Sequence, residues 1–182
     1  MKIIVFGASG SGTTTLSQSL AQKLNWIHLD TDEYYWAKTE TPFQTKIPLE
    51  IRNENLKKDF ESYNSIIVSG SLVSWGEYWN NVFDLGVFLH LPQDIRMERL
   101  IKREQKRYGE NLITDIQIKT NSNAFLAWAK KYDDESFIGR NIIQHKKWIE
   151  LLKCECLKIQ GDLTNEQRMN IVLEKKTTAD TQ

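Results

Sequence analysis

The chain has 182 residues, which is the size of one domain, and a domain of this size buries roughly two-thirds of its unfolded surface. Its hydrophobic content of 40% and charged content of 26% exclude a disordered protein. The 24 basic and 24 acidic residues cancel, which argues against a nucleic-acid or anionic-membrane partner held by a bulk positive field. The apolar runs are too short to span a bilayer, and no targeting leader opens the chain. We therefore expect a cytoplasmic protein with neither kind of partner.

Strand-like and helix-like segments alternate along the chain, which is typical of a parallel sheet covered by helices. Short apolar runs predict strands at 2–6, 26–29, 65–69, 85–91 and 156–159. Amphipathic or charged patterns predict helices from 13 to about 24, then at 49–63, 94–108, 117–132 and 139–152, and from 164 onward. No repeat or linker divides the chain, so we expect an α/β domain over residues 1–175 and a flexible polar tail at 176–182.

The most specific motif is a glycine-rich loop between the first strand and the first helix. Residues 7–14 read GASGSGTT, which matches the phosphate-binding pattern G-x-x-x-x-G-K-[ST] except that Thr13 replaces the lysine. The glycines let successive N–H groups cradle phosphate oxygens, and the helix N-terminus adds about half a positive charge. A plain glycine-rich turn is the alternative, but the spacing and context favour phosphate binding. We expect nucleotide contacts from Gly7, Ser9, Gly10, Ser11, Gly12, Thr13 and Thr14.

Two aspartates follow the second strand with one residue between them. Asp30 and Asp32 fall at the carboxyl edge of the predicted sheet, where open α/β sheets bind ligands. Beside a phosphate loop, such carboxylates hold Mg²⁺ through water, or orient and deprotonate an acceptor hydroxyl. A helix cap or turn is the alternative, since Asp favours both. We predict that Asp30 and the hydroxyl of Thr14 serve the metal and that both aspartates serve the chemistry.

Arginines line one predicted helix at spacings of three and four residues. A single-sided row of guanidiniums suits phosphate groups, because each fork makes two-point contacts with phosphate oxygens. A solvated helix face is the alternative. We expect phosphate contact from at least two members of the row, which are Arg96, Arg99, Arg103 and Arg107. Arg140, just after Gly139, is a further candidate for a lid arginine that meets the substrate.

With these motifs, nearly the whole chain resembles the small P-loop kinases of the adenylate, shikimate and gluconate kinase-like group. The resemblance rests on residues 7–15, 28–32, 69–71 and 91–103, and is greatest to bacterial members with the same threonine in the loop. It implies a three-layer α/β P-loop nucleoside triphosphate-binding fold, with a five-stranded parallel sheet and helices on both faces. An acceptor-binding insert at about 33–63 and a small lid at about 104–140 complete the expected domain.

The resemblance also implies roles for individual residues. Asp30 and Asp32 match the family's metal and acceptor-hydroxyl carboxylates, and Ser69 and Gly70 match its small-residue turn at the acceptor. Arg99 and Arg103 match the lid-base arginines that flank adenine and hold phosphates. The family's cofactors would be ATP and Mg²⁺. Aromatic residues gather in the two segments expected around the acceptor, and among them we single out Trp36 as an acceptor contact, with core packing as the alternative.

Two functions remain open on these grounds. The first is an ATP-dependent kinase that phosphorylates an unidentified small molecule or nucleotide, as a monomer or a homodimer. The second is a nucleotide-binding regulator or pseudokinase, which Thr13 favours because the missing lysine removes a charge-assisted contact on the order of 1.5–3 kcal/mol. In the kinase interpretation, Arg103 and Arg107 are expected to replace the lost charge from the lid. A hydrolase is disfavoured, because the Asp pair is better placed for an acceptor than for activating water.

Overall fold

A computed structural model describes residues 1–39 and 43–180. Five parallel strands form one sheet in the order β2-β3-β1-β4-β5. Their bounds are β1 Lys2–Gly7, β2 Ile27–Asp30, β3 Ile66–Ser69, β4 Leu85–His90 and β5 Glu155–Gln160. All five predicted strands are confirmed, and the central ones carry continuous apolar runs because both faces of the sheet are covered.

Eight α-helices join the strands within the described residues. They are α1 Thr13–Leu24, α2 Thr31–Tyr35, α3 Leu49–Glu61, α4 Gln93–Tyr108, α5 Asn111–Thr114, α6 Ile116–Lys130, α7 Ile142–Leu151 and α8 Asn165–Asp180. Short 3₁₀ helices lie at Glu77–Asn80 and Lys131–Asp133. Two expectations need correction. The sequence pattern missed the short helices α2 and α5, and the segment predicted as a tail is helical as far as Asp180.

The hydrophobic core divides into two layers because alternate side chains of a strand point to opposite faces. Ile3 and Val5 of β1 pack with α1 and α8, whereas Ile4 and Phe6 pack with α3 and α7. Helices therefore cover both faces of the sheet, and the predicted three-layer P-loop fold is confirmed. No helix in the described ranges is both long enough and apolar enough to cross a membrane.

Sheet topology brings the sequence motifs to one edge. Since all strands are parallel, the loop after β1, the aspartates after β2 and Gly70 after β3 lie at the same carboxyl edge. In register, Asp30 of β2 pairs with Ser69 of β3, and Ser69 pairs with Val5 of β1. This edge is where open α/β sheets bind ligands.

Candidate active site

The phosphate loop takes the conformation that its glycines permit. Gly10 and Gly12 have φ angles of 83° and 92°, in the left-handed region, which side chains other than glycine rarely adopt. A Cβ on Gly10 would lie 2.8 Å from the carbonyl oxygen of Arg96. Gly12 is the N-cap of α1 and supplies no side-chain cap. The first N–H groups of α1 thus face the loop without a side-chain acceptor, as an anion site requires.

The acidic pair is joined to this loop by a hydrogen bond. Thr14 Oγ1 donates to Asp30 Oδ2 at 2.9 Å, and Asp30 Oδ1 accepts from the backbone N–H of Asp32 at 3.0 Å. Asp30 is thereby also the N-cap of α2. It therefore caps a helix, as the alternative interpretation expected, and it also lies beside the phosphate loop. The carboxylate and hydroxyl oxygens are the donors that Mg²⁺ prefers. No group of three or more His, Cys, Asp or Glu ligands gathers in the described ranges.

Asp32 is exposed to solvent, and charged groups of both signs act on its carboxyl group. Loss of hydration raises the pKa of its carboxyl group, and the neighbouring Asp30 raises it further. Arg140, Arg103 and Arg107 oppose this rise. Asp32 is thus an accessible carboxyl group whose pKa lies above its ordinary value.

Arg140 reaches the phosphate loop from the predicted lid. Its Nη2 donates to Ser9 Oγ at 3.4 Å, and its guanidinium lies 5.1 Å from the centre of the Trp128 ring. Its Nε is buried without a hydrogen-bond partner among the described residues. Burial lowers the pKa of Arg140, and the charge of Asp32 opposes that effect. Trp128, on α6, therefore packs against a charged group of the site.

Two further arginines of α4 face the same acidic group. Arg103 lies 5.4 Å from the Phe125 ring centre, and burial followed by the charge of Arg107 lowers the pKa of Arg103. Arg107 pairs with Glu104 at 3.2 Å and covers the Phe43 ring at 4.3 Å. Phe43 belongs to the predicted insert, so Arg107 joins the insert to the predicted lid. The charges of these two arginines oppose the rise in the pKa of Asp32, whereas other arginines contact the phosphate loop.

The predicted row of four arginines mixes two faces of α4. Arg96 is fully buried, and it pairs with Asp133 and donates to the Leu91 carbonyl at 3.1 Å. It shares the buried face with Leu100 and Glu104. The expectation that all four arginines line one face of the helix is therefore wrong for Arg96. The remaining three residues, at spacings of four, share the neighbouring face.

Arg99 and a residue that the sequence analysis missed flank Gly12. Arg99 pairs with Asp162 at 2.6 Å. Arg168 of α8 donates to the Ser11 carbonyl oxygen at 2.8 Å, and its Nη1 lies 3.1 Å from the position of a Cβ on Gly12. Arg99, Arg168 and Gly12 line one pocket. The only signal in the sequence is that Arg168 precedes Val172 by four residues on the apolar face of α8.

The predicted acceptor residues differ in how the structure uses them. Ser69 is buried, and its hydroxyl lies 2.9 Å from His28 Nε2. Gly70 has a φ of 106°, and a Cβ there would lie 1.8 Å from Thr31 Oγ1. Ser69 and Gly70 are thus both packed against neighbouring residues in this turn, and neither is free to contact an acceptor. Trp36 is partly buried and packs edge-on against Tyr35, with ring centres 4.8 Å apart.

Comparison with known proteins gives consistent matches to P-loop proteins and kinases. A family model described as an AAA domain matches residues 3–119. The uncharacterized protein YqaC of Bacillus subtilis (strain 168) is 40% identical over 172 residues, covering 94% of this chain and 95% of the relative. The cytidylate kinase of Haloarcula marismortui is 28% identical over 139 residues, covering 68% and 69%. The shikimate kinase from Acinetobacter baumannii in complex with shikimate has a TM-score of 0.56 at 15% identity, covering 99% and 93%, and this likeness concerns the fold.

Proposed function

Because this chain belongs to the AAA-domain family and to the small P-loop kinases of the adenylate- and shikimate-kinase-like group, we propose that it is an ATP-dependent phosphotransferase. It would transfer the γ-phosphoryl group of ATP to a hydroxyl of a small molecule or nucleotide. The observation that carries the proposal is the 2.9 Å hydrogen bond from Thr14 to Asp30. This contact joins the phosphate loop to an acidic pair whose second member, Asp32, is acted on by the charges of three arginines.

The nucleotide would occupy the loop and the pocket beside it. Gly7–Thr14 supplies the backbone N–H groups for the phosphates. Arg99 and Arg168 flank the entrance at Gly12, where their planar guanidiniums suit a base or ribose together with the outer phosphate oxygens. Mg²⁺, when bound by Thr14 and Asp30, would neutralise charge on the phosphates. Thr14 and Asp30 both offer oxygen atoms, which are the ligands that Mg²⁺ prefers.

Asp32 would act as the general base. Its carboxylate accepts the proton of the acceptor hydroxyl as that oxygen bonds to the γ-phosphorus, and the bond from phosphorus to the β–γ bridging oxygen breaks to release ADP. Arg140, Arg103 and Arg107 lie around Asp32 and would stabilise the negative charge of the transferring group. Arg140, which contacts Ser9, is the group best placed to replace the charge that Thr13 lacks. This revises the expectation that Arg103 and Arg107 do so.

A nucleotide-binding regulator with little catalysis is the second candidate. Thr13 favours it, because the lysine of the usual motif contacts the β- and γ-phosphates. The contact of Arg140 with the loop supports the kinase over the regulator, since a guanidinium forms two-point contacts with phosphate. Turnover separates the two candidates.

The test is acceptor-dependent ADP release with Mg²⁺ and ATP, measured over a panel of nucleosides, nucleoside monophosphates, sugars and sugar acids. We expect ADP and phosphorylated acceptor in equal amounts from the parent protein. Asp32→Asn should reduce turnover at least 100-fold while calorimetric ATP affinity stays within a few-fold. Glu33→Gln, which removes the next carboxylate along α2, is the matched control and should keep its turnover. Equal losses of turnover in both variants would contradict the role of Asp32.

A further inference from the structure

One buried carboxylate lies on the same helix as two arginines of the site. Glu104, on α4, is 3% exposed, and no other Asp or Glu in the described part of the chain is buried. A buried carboxylate has lost its hydration, so both of its oxygens need partners. Arg107 Nη1 donates to Glu104 Oε1 at 3.2 Å, and the buried hydroxyl of Ser122 donates to Oε2 at 2.9 Å. Both oxygens are thus engaged, and the carboxylate is fixed in position.

The contacts of Glu104 restrain the guanidinium of Arg107. Ser122 lies in α6, so its hydrogen bond anchors the carboxylate of Glu104 to a second helix. Arg107 is held by that carboxylate at one nitrogen, and one face of its guanidinium covers the Phe43 ring at 4.3 Å. An arginine side chain has five N–H donors in one plane. Contacts at one nitrogen and one face fix that plane, and they do so before any ligand binds, as a binding group requires.

Glu104 also offsets the repulsion between two arginines. Arg103 and Arg107 are four residues apart on α4, a spacing at which like charges on a helix repel. Burial, followed by the charge of Arg107, lowers the pKa of Arg103, and the charge of Glu104 opposes that effect. The charges of both arginines act on Asp32. Glu104 therefore allows the two guanidiniums to remain side by side near Asp32, where repulsion alone would separate them.

We propose that Glu104 is a positioning residue, which fixes the guanidinium of Arg107 so that its N–H groups meet the terminal phosphate of the bound nucleotide. The inference rests on the proposed function for the place of that phosphate, between the phosphate loop and Asp32. Glu104 acts through Arg107, because both of its own oxygens are engaged within the protein. A role in fold stability alone is the alternative, since Glu104 also joins α4 to α6. The two roles differ in what they predict for binding of the terminal phosphate.

The test is calorimetric binding of AMP-PNP and of ADP, each with Mg²⁺, because the two nucleotides differ by the terminal phosphate group. We expect the parent to bind AMP-PNP about tenfold more tightly than ADP, since a guanidinium makes two-point contacts with phosphate. Arg107→Gln should remove most of that preference, and Glu104→Gln should remove as much. The double variant should lose no more than Arg107→Gln alone, because a residue that acts only through Arg107 contributes nothing once Arg107 is gone.

Three further variants separate positioning from stability. Glu98→Gln is the matched control, because Glu98 also pairs with a cation one turn later on α4, Lys102, but on an exposed face, and it should keep the full preference. Ser122→Ala removes the link to α6 and leaves the carboxylate beside Arg107, so it should lower the thermal unfolding midpoint and keep most of the preference. Glu104→Asp retains the charge but withdraws it by one methylene group, so it should lose part of the preference. It replaces Glu104→Gln in the comparison if that variant does not fold.

The inference and the proposed function fail in different ways. Equal binding of AMP-PNP and ADP by the parent, a preference that survives in Glu104→Gln, or additive losses in the double variant would overturn the inference. ADP release reports on the function, and in an active parent Glu104→Gln should lower kcat about tenfold or more. A parent that releases no ADP but shows the expected binding losses would contradict only the function. An active parent whose Glu104→Gln variant keeps both its kcat and its preference would contradict only the inference.

Discussion

The hydroxyl of Thr14, at the start of α1, donates a 2.9 Å hydrogen bond to Asp30 Oδ2 at the end of β2. One bond thereby fixes the phosphate loop relative to the acidic pair. Asp30 uses its second oxygen to cap α2, which positions Asp32 on the first turn of that helix. The same carboxylate thus serves a local structural role and sets the geometry of the site.

The pH dependence of turnover should report Asp32. Loss of hydration, followed by the charge of Asp30, raises the pKa of Asp32 above its ordinary value, so its carboxylate becomes protonated at a higher pH than an unperturbed carboxyl group would. As pH falls through that raised pKa, the general base is lost and kcat falls. Asp32→Asn should show a low, flat profile over the same range. A parent profile that falls only in the ordinary carboxyl range, with the same slope in Asp32→Asn, would argue against this assignment.

Arg140 should matter for chemistry more than for nucleotide binding. Its guanidinium contacts Ser9 and faces Asp32, so Arg140→Lys should lower kcat about 100-fold through loss of charge stabilisation in the transition state. Arg99→Lys is the comparison, because Arg99 pairs with Asp162 away from Asp32 and should raise the KM for ATP with little change in kcat. Steady-state kinetics of the two variants separates these effects, and identical kcat losses would refute the distinction.

Gly70 should be intolerant of a side chain for a reason of packing. A Cβ there would lie 1.8 Å from Thr31 Oγ1, whereas a Cβ on Gly76, whose φ of 121° is similarly positive, meets no atom within 4 Å. Gly76→Ala should therefore cost only backbone strain, about 1–3 kcal/mol of unfolding free energy. Gly70→Ala should cost about 1–3 kcal/mol more for the added overlap. Urea unfolding of both variants measures the difference, and equal losses would disprove the clash.

The buried His145 should make stability depend on pH. Its Nε2 lies 2.9 Å from Ser71 Oγ and its Nδ1 lies 2.6 Å from the Tyr132 hydroxyl, and burial lowers the pKa of His145 to about 3. Below about pH 6.5 the unfolded chain takes up a proton that the folded protein does not, so stability falls by up to about 1.4 kcal/mol per pH unit.

His145→Gln tests this linkage. The variant lacks the proton uptake, so the stability advantage of the parent should shrink as the pH is lowered from 7 to 4. Between pH 7 and 8, where the residue is neutral in both states, the difference in unfolding free energy should stay constant. A difference that is equally large at pH 4 and pH 7 would show that His145 does not titrate in this way.

Sequence patterns predict the sheet and the phosphate loop because both follow from local rules. Buried parallel strands are continuous apolar runs, and the loop needs glycines at fixed spacing. Helix α2 could not be predicted by such rules, because five residues are too few to show a helical period. The exact start of α7 was likewise not predicted, because it depends on a helix cap. The side-chain oxygen of Asn141 accepts a hydrogen bond from the Gln144 N–H at 2.9 Å.

Long-range contacts explain most of what the sequence did not predict about the site. Arg168 meets Ser11 across 157 residues of chain, and Arg140 meets Ser9 across 131, so spacing along the chain carries no sign of either pair. Arg96 is different, because its spacing of four from Leu100 places it on the apolar face of α4. Following that period through the helix would have separated Arg96 from Arg99, Arg103 and Arg107.

Acceptor-dependent ADP release by the parent and by Thr13→Lys tests the central claim most directly. With Arg140 already supplying a cation at the loop, restoring the lysine should raise ATP affinity modestly and change turnover by less than about tenfold, which corresponds to 1.4 kcal/mol. The account predicts that the parent itself releases ADP in proportion to phosphorylated acceptor. An inactive parent beside an active Thr13→Lys variant would contradict it.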